Sequence, residues 1–282
     1  MTIGITGATG HLGRLAVAAF KKRFTDADVV ALVRDPAKAA DLGIEAREAD
    51  YKKPETLDAA LKGIDTLVLI SSSDFDDRPG QHKNVIHAAK KAGVKHLIYT
   101  SILKGLDSPM ILAADHKETE KAIAASGIPA TIMRNGWYTE NATASLEGAL
   151  AAGALVGSAG DGKFSWAARA DYAEALAVVA ATDGHEGKVY ELAGDTGHTM
   201  SEFAEEVSKL VGKSVPYNSL PEAQYIEILK SVGLPEPVAA IYANGDVCAA
   251  EGALFDDSKT LSKLIGRPTT PVAETIAAAL GK

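Results

Sequence analysis

Near the start of the chain three glycines, Gly7, Gly10 and Gly13, fall at even spacing in the stretch GATGHLG. The residues before them, TIGIT (2–6), are β-branched and read as a short strand. Those after them, HLGRLAVAAFKKRF, place Leu12, Leu15, Ala16, Ala19, Phe20 and Phe24 at helical spacing. Between a strand and a helix each glycine has a physical use. One permits the tight turn, one lets a phosphate approach the backbone, and one lets helix and strand pack closely. The helix N-terminus adds free N–H groups and a positive dipole end that attract a pyrophosphate. Ala8, Thr9, His11 and Leu12 complete the candidate loop. A plain tight turn would use the same glycines; their place at the head of a long strand–helix series favours dinucleotide binding.

A second residue bears on which dinucleotide. An NAD site carries Asp or Glu at the end of the second strand to bond the ribose 2′-hydroxyl. Here the text is VALVRDP, with Arg34 at that place and Asp35 one residue late. A guanidinium there can grip a 2′-phosphate through charge-assisted bonds; the alternative is a solvated surface arginine. The expected cofactor is NADPH. Farther on, RNGWYTEN offers Trp137 and Tyr138 as an aromatic wall for a flat substrate, or as ordinary core. Tyr138 is the stronger candidate, because its hydroxyl needs a polar partner. Arg169, after FSWAA, caps the cofactor pocket or pairs with Asp171.

Other chemistry finds little footing. The seven histidines show no close zinc-ligand spacing, and no metal is expected. Neither G-x-S-x-G nor G-x-x-x-x-G-K-[ST] occurs. The acidic run DFDDRP (74–79) reads as a solvated loop beside the cofactor, with a metal site as the less favoured alternative. A net charge of −8 with no Lys/Arg block argues against nucleic acid. The one cysteine, Cys248, fits a reducing compartment. With no signal-peptide pattern and no run approaching the ~20 apolar residues of a membrane span, the expected location is cytoplasmic.

Elements that would hold these residues alternate along the chain. Strands read at DVVALV (28–33), more weakly at IEAREAD, then at DTLVLISSS (65–73), KHLIYTS and PATIMRN. Helices read between them at ETLDAALKG, QHKNVIHAAKKAG and DHKETEKAIAASG. Apolar strands separated by helices predict an α/β fold, a Rossmann-like doubly wound parallel sheet with helices on both faces. The expected domains are 1–135, binding NADP, and 136–282, a smaller substrate-covering region with some segments returning to the sheet. Helices are expected in the second half at ADYAEALAVVAAT, SEFAEEVSKLVG, 221–233 and 235–251, with a loop at GSAGDGKFSW (157–166) and a strand at KVYELAG.

GITGATGHLG, VRDPAKA, DTLVLISSS, YTS, TEKAIAASGI, RNGWYTEN, GHEGKVYELAGD and LFDDSKTLSKLIGRPTT together resemble the NmrA-like atypical short-chain dehydrogenase/reductases. Within that family the chain is similar to the bacterial type 2 NAD(P)H:quinone oxidoreductases, and more distantly to triphenylmethane reductases. The resemblance implies a Rossmann core, NADPH, no flavin and quinone reduction. It implies that residues 7–13 and Arg34 hold the adenosine-phosphate end. Ser71, Ser72 and Ser73 would pass beside the cofactor, and Gly136 to Asn141, with Trp137 and Tyr138 among them, would lie near the nicotinamide; Asn135 is a further cofactor-binding candidate.

Ordinary short-chain dehydrogenases carry Tyr-x-x-x-Lys on the helix after the fifth strand. Aligning Glu120 with the glutamate that often follows that motif puts Leu112 at the tyrosine and His116 at the lysine, so the dyad is absent. His116 either orients the nicotinamide end or is a satisfied core histidine. Two functions stay open: a flavin-free NADPH-dependent reductase of quinone-like acceptors, with Tyr138 and His116 as catalytic candidates, and a non-catalytic NADP(H) sensor acting through a protein partner. A homo-oligomer is also left open.

Overall fold

Strand β1 (Thr2–Thr6) starts the chain and is buried almost throughout, from Ile3 to Thr6. A computed structural model describes residues 1–282. The strands continue with β2 (Asp28–Val33), β3 (Glu45–Glu48), β4 (Thr66–Leu69), β5 (His96–Ile102) and β6 (Ala130–Asn135). Shorter ones are β7 (Leu155–Gly157), β8 (Lys163–Phe164), β9 (Val189–Leu192), β10 (His198–Thr199) and β11 (Tyr217–Ser219). The first helices are α1 (His11–Arg23), α2 (Pro54–Ala60), α3 (Arg78–Ala92), α4 (Ala113–Ser126), α5 (Thr139–Thr143) and α6 (Leu146–Ala152). The rest are α7 (Arg169–Ala181), α8 (Met200–Val211), α9 (Glu222–Ser231), α10 (Glu236–Ala250), α11 (Thr260–Ile265) and α12 (Val272–Ala279).

The main sheet has the order β3-β2-β1-β4-β5-β6-β9, and every pairing from β3 through β6 is parallel. Its strands are apolar on both faces, as a doubly covered parallel sheet requires. Val30, Leu32, Leu67, Leu69, Leu97 and Tyr99 turn one way, toward Leu57 of α2, Val85 of α3 and Ile123 of α4. Strand order reverses between β1 and β4, the switch point at which open α/β sheets bind ligands. The architecture is the doubly wound Rossmann-like one expected from the sequence.

The chain divides into two compact units. The first comprises residues 1–105, 115–135 and 169–190, the second 106–114, 136–168 and 191–282. In the first, α7 is buried from Asp171 to Ala180 almost all round, which explains its nearly unbroken run of small apolar residues. In the second, two small sheets pair β10 with β8 and β11 with β7. The stretch 157–166, expected as a loop, thus contains β8. Thr199 and Glu202 close a reciprocal capping box at the start of α8.

Candidate active site

In the first unit, the expected cofactor residues follow the carboxyl ends of the strands. Gly7 comes directly after β1, Arg34 after β2 and Ile70–Ser73 after β4, while Asn135 closes β6. Gly7 and Ile70 face each other across the switch point: a Cβ on Gly7 would lie 3.8 Å from the Ile70 side chain.

The three glycines differ in what they do. Gly7 has a φ of 61°, a left-handed conformation that other residues disfavour. Its N–H donates to the Leu32 carbonyl at 3.0 Å, and its own carbonyl accepts from Gly10 N at 2.9 Å. Gly13 is a close-packing position, since a Cβ there would stand 2.2 Å from the Gly7 carbonyl oxygen. Gly10 is exposed at the N-cap of α1, which no side chain caps. A Cβ on it would meet only the Gly7 carbonyl, at 3.2 Å, and would otherwise project into the open space before the helix. Ala8 and Leu12 send their side chains into the core, so only their backbones face a ligand. Thr9 is half-buried and His11 exposed. An uncapped helix start behind a glycine with no side chain is a fitting seat for a pyrophosphate.

Arg34 is exposed just past β2. Asp35 is committed elsewhere: its side chain accepts the Ala37 N–H at 3.1 Å and caps the short 3₁₀ helix Pro36–Leu42. The acid that would mark an NAD site is therefore occupied with local structure, and the guanidinium stands at the strand end.

Beyond β4, Ser71 and Ser72 are half-buried and Ser73 is exposed. The sequence reading extended this strand to Ser73; its ladder ends at Leu69. Sequence reasoning also missed a buried polar cluster behind this turn, formed by Tyr51, Arg78, Gln81, His82, Tyr99 and Thr119. Tyr51 Oη donates to the Ile70 carbonyl at 2.9 Å. Arg78, only 3% exposed, pairs through Nε with Asp115 Oδ2 at 3.1 Å. The available signal was the spacing of Arg78, Gln81 and His82 on one turn of a helix that otherwise needs an apolar face.

His116 belongs to the same cluster. It is buried, and its Nδ1 is 2.8 Å from Tyr99 Oη. Burial holds its pKa well below the ordinary histidine value, with the charge of Arg78 adding to the effect, so the ring is neutral. Tyr99 is shifted the other way, its hydroxyl kept protonated by burial. Arg169 opens α7 in this unit and is half-buried.

The second unit carries the aromatic stretch. Gly136 N donates to the Leu192 carbonyl at 2.7 Å. Tyr138, half-buried, is the N-cap of α5 and bridges to Ala167 through its backbone. Asn141 N donates to the Tyr138 carbonyl at 3.0 Å. The Trp137 ring meets Tyr242 of α10 edge-on, with centroids 6.2 Å apart and planes at 81°. Gly245, one turn along α10, makes room for it, since a Cβ there would touch the indole at 3.4 Å. Trp137 is half-buried and rests on α10, a flat apolar wall backed by a helix.

The profile of the NmrA-like family matches residues 1–269. The chain belongs to the NmrA-like family. Among curated relatives, the Escherichia coli protein named quinone oxidoreductase 2 is 53% identical over 277 residues, 97% of each chain. The crystal structure of an Escherichia coli NADPH-dependent quinone oxidoreductase complexed with NADPH superposes with a TM-score of 0.96 at 52% identity, covering 99% of both chains. The Citrobacter triphenylmethane reductase structure, at 36% identity and a TM-score of 0.94, covers 100% of both. Within this NmrA-like chain no helix is long and apolar enough to cross a membrane, and no cluster of three or more His, Cys, Asp or Glu gathers to hold a metal.

Proposed function

We propose that this chain is a flavin-free, NADPH-dependent oxidoreductase that reduces quinones or similarly delocalised acceptors. The observation that carries the proposal is the 53% identity to quinone oxidoreductase 2 along 97% of both chains, in a protein whose Gly7–Gly13 turn is shaped for a pyrophosphate. The exposed Arg34, with Asp35 diverted to capping, supports NADPH over NADH. When bound, NADPH supplies the hydride.

The chain's own residues bind and orient. The first turn of α1 and Gly10 hold the pyrophosphate, and Arg34 holds the 2′-phosphate. Ser71–Ser73 border the cofactor, and Asn135, Gly136, Asn141 and Arg169 complete its contacts. Trp137 gives a flat acceptor an aromatic face. Tyr138 and neutral His116 offer hydrogen bonds that orient the reacting groups; positioning of this kind is what a quinone most needs. A reduced quinone spreads its charge over a ring and a second oxygen, so it can take its proton from water. A small-molecule quinone is the partner this reading implies.

The test mixes purified, flavin-assayed protein with NADPH and p-benzoquinone and follows the absorbance of the reduced cofactor. Turnover without flavin is the expected result. Tight NADPH binding with no turnover of any quinone would replace this reading with that of an NADP(H) sensor.

A further inference from the structure

Once β4 ends at Leu69, the next three backbone N–H groups leave the sheet ladder, and each is met by a side chain. Thr6 Oγ1 accepts from Ile70 N at 3.0 Å, Thr100 Oγ1 from Ser71 N at 2.8 Å, and His82 Nε2 from Ser72 N at 2.9 Å. A buried amide must find an acceptor, so three acceptors at fixed places set the course of the chain. Ser72 is gripped at two further points. Its carbonyl accepts from Arg78 Nη1 at 3.3 Å, and its hydroxyl donates to Gln81 Oε1 at 3.0 Å.

Arg78, Gln81 and His82 stand at i, i+3 and i+4 on α3 and are 3%, 4% and 0% exposed. Such a face is ordinarily apolar. Here three polar side chains converge on one residue of a turn instead.

The bonds fix the state of the His82 ring. A backbone N–H can only donate, so Nε2 is the bare acceptor and the proton sits on Nδ1. Nδ1 then donates to Thr119 Oγ1 at 2.9 Å, whose hydroxyl donates to the Asp115 carbonyl at 2.8 Å. Burial, with the charge of Arg78, lowers the His82 pKa to about 3, so the ring stays neutral at working pH. One imidazole thus ties the turn after β4 to α4.

We propose that His82 is a positioning residue for cofactor binding: as the fixed acceptor of the Ser72 N–H it sets the path of the Ser71–Ser73 turn, against which the nicotinamide cofactor lies. The inference rests on the proposed function, which places the cofactor beside that turn. His82→Gln keeps an acceptor near the place of Nε2, whereas His82→Asn keeps a donor near the place of Nδ1 and removes the acceptor.

The test has two arms. In the cofactor-free wild type, long-range proton–nitrogen NMR of the imidazoles should show His82 as the Nδ1–H tautomer, untitrated from pH 5 to 8. In binding titrations, His82→Asn should lose tenfold or more in NADPH affinity and His82→Gln should recover most of it. The NADPH-to-NADH preference should be equal in all three proteins, because Arg34 is untouched. A merely structural histidine would lower the melting temperature of both variants without separating their affinities. An Nε2–H tautomer, or a folded His82→Asn that binds NADPH like the wild type, would overturn the inference alone. A wild type that binds no NADPH would overturn the proposed function, and the inference with it.

Discussion

The proposed function sets Arg34 against the 2′-phosphate, the group by which NADPH differs from NADH. A charge-assisted bond of this kind is worth about 1.5–3 kcal/mol, or roughly tenfold to a hundredfold in affinity. Arg34→Ala is therefore expected to weaken NADPH by that factor and leave NADH nearly unchanged, as measured by fluorescence titration. Equal NADPH affinity in the variant would remove Arg34 from the site. A second residue, Asp246 of α10, is not among the site residues expected from the sequence. Its Oδ2 accepts the Ser158 N–H at 2.8 Å. Burial pushes its carboxyl up to about 6, the Ser158 bond opposing this only in part. An exposed aspartate sits near ~3.9, so between these values the folded protein holds a proton that the unfolded chain has released. Protonated Asp246 thus stabilises the fold below about pH 4 relative to high pH, and that contribution is lost as pH rises through about 6. Asp246→Asn keeps an oxygen for Ser158 without the charge. We expect it to be more stable than the wild type at pH 8, by about 3 kcal/mol at most, and to show no gain at pH 4. Thermal melts across that range would reject the assignment if the difference were independent of pH.

Among the elements, α4, β5 and β6 are joined by one buried ion pair. Arg134 of β6 grips Glu120 of α4 with both arms, Nε to Oε1 at 3.1 Å and Nη2 to Oε2 at 2.7 Å, and Ser101 of β5 donates to the same carboxylate. Gly105 leaves space for the guanidinium, which a Cβ would strike at 2.1 Å. Arg134→Leu strands the Glu120 charge and should cost about 3 kcal/mol or more in urea unfolding. Adding Glu120→Leu should restore part of that loss; a double variant weaker than the sum of the singles would contradict the pairing. Glu120 was visible in the sequence as a helix residue, but its partner was not, because Arg134 lies inside a strand run read for apolarity. The same limit explains the turn after β4. DTLVLISSS reads as one strand, since apolar and small residues continue past Leu69. What ends the ladder is Thr6, Thr100 and His82, distant in sequence and brought near by the fold. Elements with a strong period needed no such help: DVVALV is β2 residue for residue, and GATGHLG is the turn its glycines require.

Over the whole chain, the chemistry expected depends on what stands in place of a Tyr–Lys pair. In an ordinary short-chain dehydrogenase, a tyrosine with a lowered pKa gives its proton to the alkoxide formed from a carbonyl. Here α4 carries His116 in that region, buried and neutral with one ring nitrogen engaged by Tyr99. Tyr99 is the reverse of an activated phenol, its pKa raised by burial, and no lysine joins it in the buried cluster. A simple ketone yields a strongly basic alkoxide, for which a positioned acid is worth typically 10²–10⁴-fold. A quinone yields a weak base that water can protonate, so its reduction depends on orientation and hydrogen bonding. The protein should then turn over p-benzoquinone with a kcat/KM at least about a hundredfold above that of a simple aliphatic ketone, and should oxidise simple secondary alcohols no better than the ketone is reduced. Tyr138→Phe should slow the quinone by no more than a few hundredfold, since it removes a hydrogen bond and leaves the aromatic wall in place. Steady-state kinetics with matched cofactor decide the matter. Efficient turnover of the ketone or the alcohol would mean that a proton donor outside Tyr138, His116 and Tyr99 serves the reaction, and the positioning mechanism would have to be abandoned.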